Sequence, residues 1–536
     1  MSFISVRFIL FFIILSVVYY LLPNKKYQWV VLLAASYVFY AFTGLKNFFY
    51  ILLTTGTTYF AALQIDRIQK AAKKTVQENK QVWDKAQKKR FKAAADKRAR
   101  RIMFGVLLLN FGLLFLLKYM PPLFHTMQKR FEISMPAINQ IIPLGISFYT
   151  FQAMGYVIDV YRGEVEAENN FGKLALFVSF FPQIIQGPIS KYSQLSGQLY
   201  EEHKPDFTRI KHALELALWA LFKKLVIADR AAVAIQTVTA SPEKFSGTTV
   251  GFIVVLYALQ LYADFSSGID IARAAAQALG IDMIQNFRQP YFATSLTEYW
   301  NRWHISLGAW MKNYLFYPIA LSKTAGKVTT DIRATRFGST KAGAHIADVL
   351  PGTVASLIVF LVVGIWHGAK WRYILYGLWN GGVIMLSILL KPCFEWVNRK
   401  LRVNVQSAEH RLFQILRTFV LVCIGNITDL ARGGRDCFFW LRHILFDQHI
   451  FTGRLEIMQD IGLTGRDYNI LVLGTVLLYA VGVIRELNPQ TPLRTLLDDR
   501  LFITRWLLIL VCIVVIMIFG IYGPGYSVAE FAYMQF

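Results

Sequence analysis

The sequence predicts an all-α protein that crosses a membrane many times. Three observations carry the prediction. Of its 536 residues, 55% are hydrophobic and only 17% are charged, and mean hydropathy is +0.41. A soluble chain of this length keeps a polar shell and cannot hide that much apolar surface. Many of the apolar runs approach or reach the roughly 20 residues a helix needs to cross a bilayer. The net charge of +24 is also concentrated: residues 67 to 101 hold 14 Lys/Arg against 3 Asp/Glu.

Residues 3–22 form the first apolar run, closed by "PNKK". No basic segment precedes it and no small-residue cleavage site follows, so it reads as an uncleaved span. Residues 27–43 and 46–65 read as the next two. Three crossings put the N-terminus outside and the basic stretch, 66–101, in the cytoplasm. Lys25 and Lys26 then face the cytoplasm as well, as the positive-inside rule requires. With few aromatics (Trp83 and Phe91), the stretch lacks a base-stacking platform, and no nucleic-acid partner is expected. It reads as a helical loop held to anionic membrane lipid.

Further spans are expected near 102–120, 139–160, 171–189, 212–238, 248–276, 350–367, 371–390, 411–429, 470–485 and 503–523. In "FFPQIIQGPISKY", Pro182, Gly187 and Pro188 break a helix inside an apolar run, either lining a cavity or ending a helix. Residues 290–320 carry Glu298, Asn301, Arg302, His304 and Lys312 among aromatics. At membrane depth such a stretch must be shielded by other helices or line a cavity. Residues 321–347 are polar and turn-rich and read as an exposed loop. The mixed stretch 430–466 reads as lying along the interface. Cys393, Cys423, Cys437 and Cys512 form no C-x-x-C pair, so neither a disulfide framework nor a zinc site is expected. No P-loop, dinucleotide-binding turn or G-x-S-x-G elbow is present.

Two histidines stand apart: His304 in "EYWNRWHISLGAW" and His367 in "GIWHGAKW", 63 residues on. Neither has a second histidine at i+3 or i+4, which argues against a helical metal pair. A buried imidazole is held neutral by desolvation. It can take a proton from a hydroxyl, an effect worth about 10²–10⁴-fold in rate. Gly364 and Gly368 leave room beside His367 for a substrate or another backbone. The competing reading for each histidine is a packed side chain hydrogen-bonded to a neighbouring helix. In "QLYADFSSGIDIAR", Asp264, Asp270 and Arg273 interrupt an apolar region. Asp270 and Arg273 are spaced to pair on one helix face, with a substrate role as the competing reading.

Six stretches in order resemble the membrane-bound O-acyltransferase family, in particular its alginate-acetylating branch. They are "GISFYTFQAMGYVIDVYRG", "FFPQIIQGPISKY", "LFKKLVIADR", "LYADFSSGIDIA", "FRQPYFATSLTEYWNRWHISLGAWMKNYLFYPI" and "GIWHGAKWRYILYGLWNG". The resemblance implies a ring of tilted helices around a central tunnel. It implies a catalytic core over 1–390, completed by C-terminal helices over 391–536. It makes His367, in the W-H-G motif, the catalytic residue and His304 the second polar residue of the active region. Trp303, Trp366, Asn301 and Gly368 would line the substrate tunnel. The implied reaction moves an acetyl group from cytosolic acetyl-CoA, with no bound cofactor, across a bacterial plasma membrane. The final acceptor would be a cell-surface polysaccharide, reached through an extracytoplasmic partner transferase. Asn380 stands where relatives often have a histidine, so no catalytic role is carried there. Ser267 and Ile269 depart from the branch's usual "SGYSDIA". D-alanyl transfer to teichoic acid is the close alternative. A transporter or flippase of a lipid-linked sugar is the rival of another class, and it gives no reason for two separated Trp-His motifs.

Overall fold

The computed structural model describes residues 3–131, 143–368, 370–447, 461–491 and 493–522. Among the described residues every regular element is helical. The chain divides into two compact units, Met1–Leu214 with Ala272–Ile284, and Glu215–Ile271 with Gln285–Phe536.

The first unit contains α1 (Val6–Leu21), α2 (Gln28–Ala41), α3 (Asn47–Glu78), α4 (Lys85–Phe131), α5 (Ile146–Arg162), α6 (Phe171–Ser179), α7 (Phe181–Gln186) and α8 (Tyr192–Tyr200). The basic stretch is helical, as expected: α3 and α4 run on beyond their apolar parts and meet at a short turn. Asp84 opens α4 with a reciprocal cap. Its Oδ1 accepts from the Gln87 N–H at 2.6 Å, and its own N–H donates to Gln87 Oε1 at 2.9 Å.

One expected span is packed within protein and another is broken. Of the 17 residues of α5, 14 are buried, so the described part of the expected span 139–160 is a helix surrounded by protein. Residues 139–142 lie outside the described residues. The run at 171–189 is two helices that break at Phe180, with Pro182 in the first turn of α7. Glutamines satisfy the break: Gln152 Nε2 donates to the Phe177 carbonyl and to Gln183 Oε1, both at 2.9 Å, and Gln183 Nε2 donates to Ser190 Oγ at 2.7 Å. Gly145 opens α5 at φ 72, and a Cβ there would lie 2.0 Å from the Ile184 carbonyl oxygen. Only glycine fits.

α9 (Phe207–Leu221) and α11 (Gly247–Ala278) each supply residues to both units. The second unit continues from α9 through a π-helical turn, Phe222–Ala228, into α10 (Asp229–Ala240). After α11 come the short α12 (Leu296–Arg302), α13 (Ile305–Met311) and α14 (Tyr317–Ala320), then α15 (Lys323–Arg333), α16 (Lys341–His367), α17 (Trp371–Leu389) and α18 (Lys391–Lys400). The set closes with α19 (Ala408–Leu430), α20 (Gly434–Phe446), α21 (Gly465–Leu487), α22 (Leu493–Asp498) and α23 (Phe502–Phe519). The stretch read as a loop, 321–347, is instead α15 and the start of α16. Ser322 and Thr340 cap the two helices by accepting from Ala325 N–H and Gly343 N–H. Part of the stretch read as interfacial, 448–460, lies outside the described residues.

Among the described residues seven helices are long and apolar enough to cross a membrane: α3, the 85–121 part of α4, α11, α16, α19, α21 and α23. α17 and α18, bent by 59°, make an eighth if they count as one span.

Candidate active site

His367 is the last residue of α16. The Gly368 N–H closes the helix on the Ile365 carbonyl at 3.1 Å. The space beside Gly364 is taken by another backbone: a Cβ there would lie 2.2 Å from the Tyr373 carbonyl oxygen. Gly377 repeats the contact from α17, 2.6 Å from the Phe360 carbonyl oxygen. Small residues thus let α16 and α17 pack backbone to backbone. The half-buried His367 ring sits among aromatics. Its centroid is 4.9 Å from Trp366, 5.5 Å from Tyr376 edge-on and 6.1 Å from Tyr373. A Cβ on Gly368 would strike the Tyr373 ring at 2.5 Å. Ala369 lies outside the described residues.

His304 joins α12 to α13 and is buried, 1% exposed. Its backbone is left-handed, φ 45 and ψ 53, unusual for a residue with a Cβ. Asn286 fixes it on three sides. The Asn286 carbonyl accepts from Ile305 N–H at 3.0 Å, Asn286 Oδ1 accepts from Ser306 N–H at 2.8 Å, and Asn286 Nδ2 lies 3.2 Å from His304 Nδ1. The carboxamide oxygen is committed to a backbone donor, so its NH₂ faces the ring. An NH₂ can only donate, so Nδ1 accepts and the neutral ring carries its proton on Nε2. Phe265 of α11 lies edge-on to the imidazole at 5.0 Å.

The two motifs share an aromatic neighbourhood. Tyr376, beside His367, lies 6.3 Å from Trp300, four residues before His304. Trp300 Nε1 donates to Asn380 Oδ1 at 3.2 Å, so Asn380 ties α12 to α17. Trp303 is buried among Phe287 (4.9 Å), Tyr299 (5.6 Å) and Phe265 (6.2 Å). Trp366 is half-buried and Asn301 exposed. Arg302 anchors the end of α12, with Glu298 Oε1 at 2.7 Å and Glu486 Oε2 at 2.8 Å.

One cluster was not singled out from the sequence. Lys223 and Lys224, in the π-helical turn, are each at most 2% exposed. Lys223 Nζ reaches Asp270 and Ser266, both at 2.7 Å. Lys224 Nζ reaches Asp264 at 2.7 Å and Asp229 at 2.8 Å. One ion-paired partner of Asp270 thus comes from a helical turn 47 residues away in sequence. The cluster grips the turn of α11 that presents Phe265 to His304. Two adjacent lysines inside the apolar run "ALWALFKKLVIA" were the available signal, since intramembrane charges demand partners.

Comparison with known proteins decides the family. The family model described as MBOAT, the membrane-bound O-acyltransferase family, matches residues 168–330. The chain is 30% identical over 513 residues to the probable alginate O-acetylase AlgI of Pseudomonas aeruginosa, spanning 92% of this chain and 84% of that one. It is 30% identical to the peptidoglycan O-acetyltransferase of Helicobacter pylori, over 72% of this chain and 68% of the relative. It is 25% identical to the teichoic acid D-alanyltransferase of Bacillus subtilis, over 60% of this chain and 76% of the relative.

The chain belongs to the membrane-bound O-acyltransferase family. It is a multi-pass bacterial membrane protein and an O-acyltransferase. For a member of this family the two imidazoles differ usefully. His304 is held rigid with an N–H outward from Asn286, the form that donates to a developing oxyanion. His367 ends a helix among aromatic rings, where a neutral imidazole can act as a base.

Proposed function

We propose that this chain moves an acetyl group from acetyl-CoA, on the cytosolic side, toward a hydroxyl at the outer face, for O-acetylation of a cell-surface polysaccharide. His367 takes the proton of the acceptor hydroxyl. The oxygen attacks the thioester carbonyl, a C–O bond forms, and His304 Nε2–H donates to the carbonyl oxygen as it gains charge. When the intermediate collapses, the C–S bond breaks and the thiolate takes the proton back from His367. Trp303 backs His304, Trp366 flanks His367, and Asn301 and Gly368 complete the substrate path. The observation that supports this division of tasks is the Asn286 clamp, whose NH₂ faces His304 Nδ1 and so favours a donor at Nε2.

Acetyl transfer is favoured over D-alanyl transfer because the likeness to the alginate O-acetylase extends across 92% of this chain, whereas that to the D-alanyltransferase spans 60%. The immediate acceptor is a partner protein's hydroxyl on the extracytoplasmic side. A bulky hydrated polysaccharide cannot enter a helix-walled passage without losing partners for each buried hydroxyl. Cells lacking the gene should make the polysaccharide in normal amount without its O-acetyl groups, and their D-alanyl esters should be unchanged. The purified protein alone, given acetyl-CoA and free polysaccharide, should acetylate little or none of it. Unchanged acetylation in the deletion refutes the function; robust acetylation by the isolated protein refutes the relay.

A further inference from the structure

α3 and α4 pack side by side in the first unit, yet they leave a groove of about 570 Å³ between them. Leu52, Gly56 and Phe60 line it from α3, and Ile102, Gly105 and Leu109 from α4. The two glycines are not there to let backbones touch: a Cβ at Gly56 or Gly105 would meet nothing within 4 Å. This is the reverse of Gly364. A glycine inside a helix costs about 1 kcal/mol relative to alanine, and here that cost returns no contact within the protein. What it yields is concavity. The helix pair is also held at a set spacing, because Asn110 Nδ2 of α4 donates to Thr57 Oγ1 of α3 at 3.1 Å. Thr57 is itself a lining residue.

One end of the groove is apolar and the other is charged. The lining spans residues 52 to 64 of α3, roughly 18 Å at 1.5 Å per residue. That is slightly more than half of the ~30 Å hydrocarbon thickness of a bilayer. At its charged end lie the exposed Gln64 and, one turn on, Arg67. From α4, Arg98 and Arg101 stand one turn before Ile102 and Gly105 on the same face. The acids nearby are already engaged: Asp66 and Glu166 with Lys70, each at 3.0 Å, and Asp96 with Arg100 and the Tyr161 hydroxyl. Among the described residues Arg67, Arg98 and Arg101 have no ion-pair partner. Three uncommitted guanidinium groups therefore stand where both helices change from apolar to basic, the boundary at which a spanning helix meets headgroups.

We propose that α3 and α4 form a binding site for one anionic phospholipid, with an acyl chain in the groove between Gly56 and Gly105 and its phosphate held by Arg67, Arg98 and Arg101. The guanidinium fork suits a phosphate diester, Gln64 offers an amide donor beside it, and the open flank of the groove lets the lipid enter from the bilayer. The bound lipid would pin the basic hairpin to one leaflet at a fixed place, beyond the diffuse attraction of a polybasic loop.

The test uses the full-length protein in mild detergent, incubated with phosphatidylglycerol or with phosphatidylcholine and weighed intact by native mass spectrometry. The wild type should retain one phosphatidylglycerol and little phosphatidylcholine. Gly56→Leu with Gly105→Leu fills the groove and should abolish retention. Arg67→Gln with Arg98→Gln and Arg101→Gln should weaken phosphatidylglycerol on the order of 100-fold, at about five-fold per cation, and erase the preference over phosphatidylcholine. Should the leucine pair fail to fold, the milder Gly56→Ala with Gly105→Ala should lower retention in proportion to the lost depth. Equal retention of both lipids by the wild type overturns the proposal, as does undiminished phosphatidylglycerol on the filled groove. A second copy of the chain retained in place of lipid would assign the groove to self-association.

Discussion

Replacing Lys224 with methionine tests the buried cluster directly. Its ammonium makes two ion pairs, 2.7 Å to Asp264 and 2.8 Å to Asp229, and all three side chains are at most 6% exposed. Breaking one buried pair by removing a partner costs about 3–5 kcal/mol, because a charge is left without compensation. Lys224→Met takes the ammonium from two carboxylates at once. Each can escape by taking up a proton, so the two losses do not simply add. A destabilisation of about 4 kcal/mol is expected, roughly a 10³-fold shift in the folding equilibrium. The matching control is Lys224→Met with Asp264→Leu and Asp229→Asn. Apolar replacement of a complete buried pair is often neutral, so the triple variant should recover most of the loss. Reversible unfolding of the purified protein in mixed micelles, read by tryptophan fluorescence, measures both. A single variant within 1 kcal/mol of wild type would mean the pairs contribute nothing net, and the reasoning would fail.

Three further expectations concern the site and its setting. His367→Ala should lower turnover by about 10²–10⁴-fold with the unfolding midpoint preserved; near-normal turnover in the purified variant sinks its role as base. Asn286→Asp places an acceptor against His304 Nδ1, moves the ring proton to that nitrogen and removes the donor at Nε2. Turnover should fall by about 10²–10³, as when one oxyanion donor is lost, with the KM for the acyl donor little changed; a pure rise in KM would show that the tautomer does not matter to the reaction. In a cysteine-free background, Lys80→Cys should resist membrane-impermeant labelling in intact cells and react in opened ones, since 14 basic residues are costly to translocate. Efficient labelling of intact cells would overturn the three-span count before the hairpin.

What was legible in the sequence depended on whether a signal was local. Long apolar runs such as 248–276 and the 503–519 part of 503–523 read correctly as helices because length and composition suffice for a helix in lipid. The break at 180 was legible from Pro182 and Gly187. For α5 the sequence left the surroundings open: hydropathy does not separate a helix facing lipid from one packed on all sides by protein, and 14 buried residues out of 17 put α5 in the second class. At the site, both histidines stood out as ionisable groups among aromatics. The Asn286 clamp did not, because an asparagine 18 residues upstream of His304 is one polar residue among many until the chain folds it back. The α11 partners of Lys223 and Lys224, Asp270 and Asp264, were hidden for the same reason, 47 and 40 residues away. The loop reading of 321–347 failed because Ser322 and Thr340 act as caps that start helices, while the composition around them counts only as polar.

The left-handed backbone at His304 sets two selection pressures against each other. A residue with a Cβ held at φ 45 stores on the order of 1–3 kcal/mol of strain that glycine would not bear. A library of variants screened only for survival of heating should therefore drift away from histidine at 304, toward glycine or asparagine. The same library passaged in cells that depend on the modified envelope should keep it. Thermal hardiness and livelihood would then pull one codon in opposite directions, and an engineer seeking a sturdier enzyme should leave that position untouched.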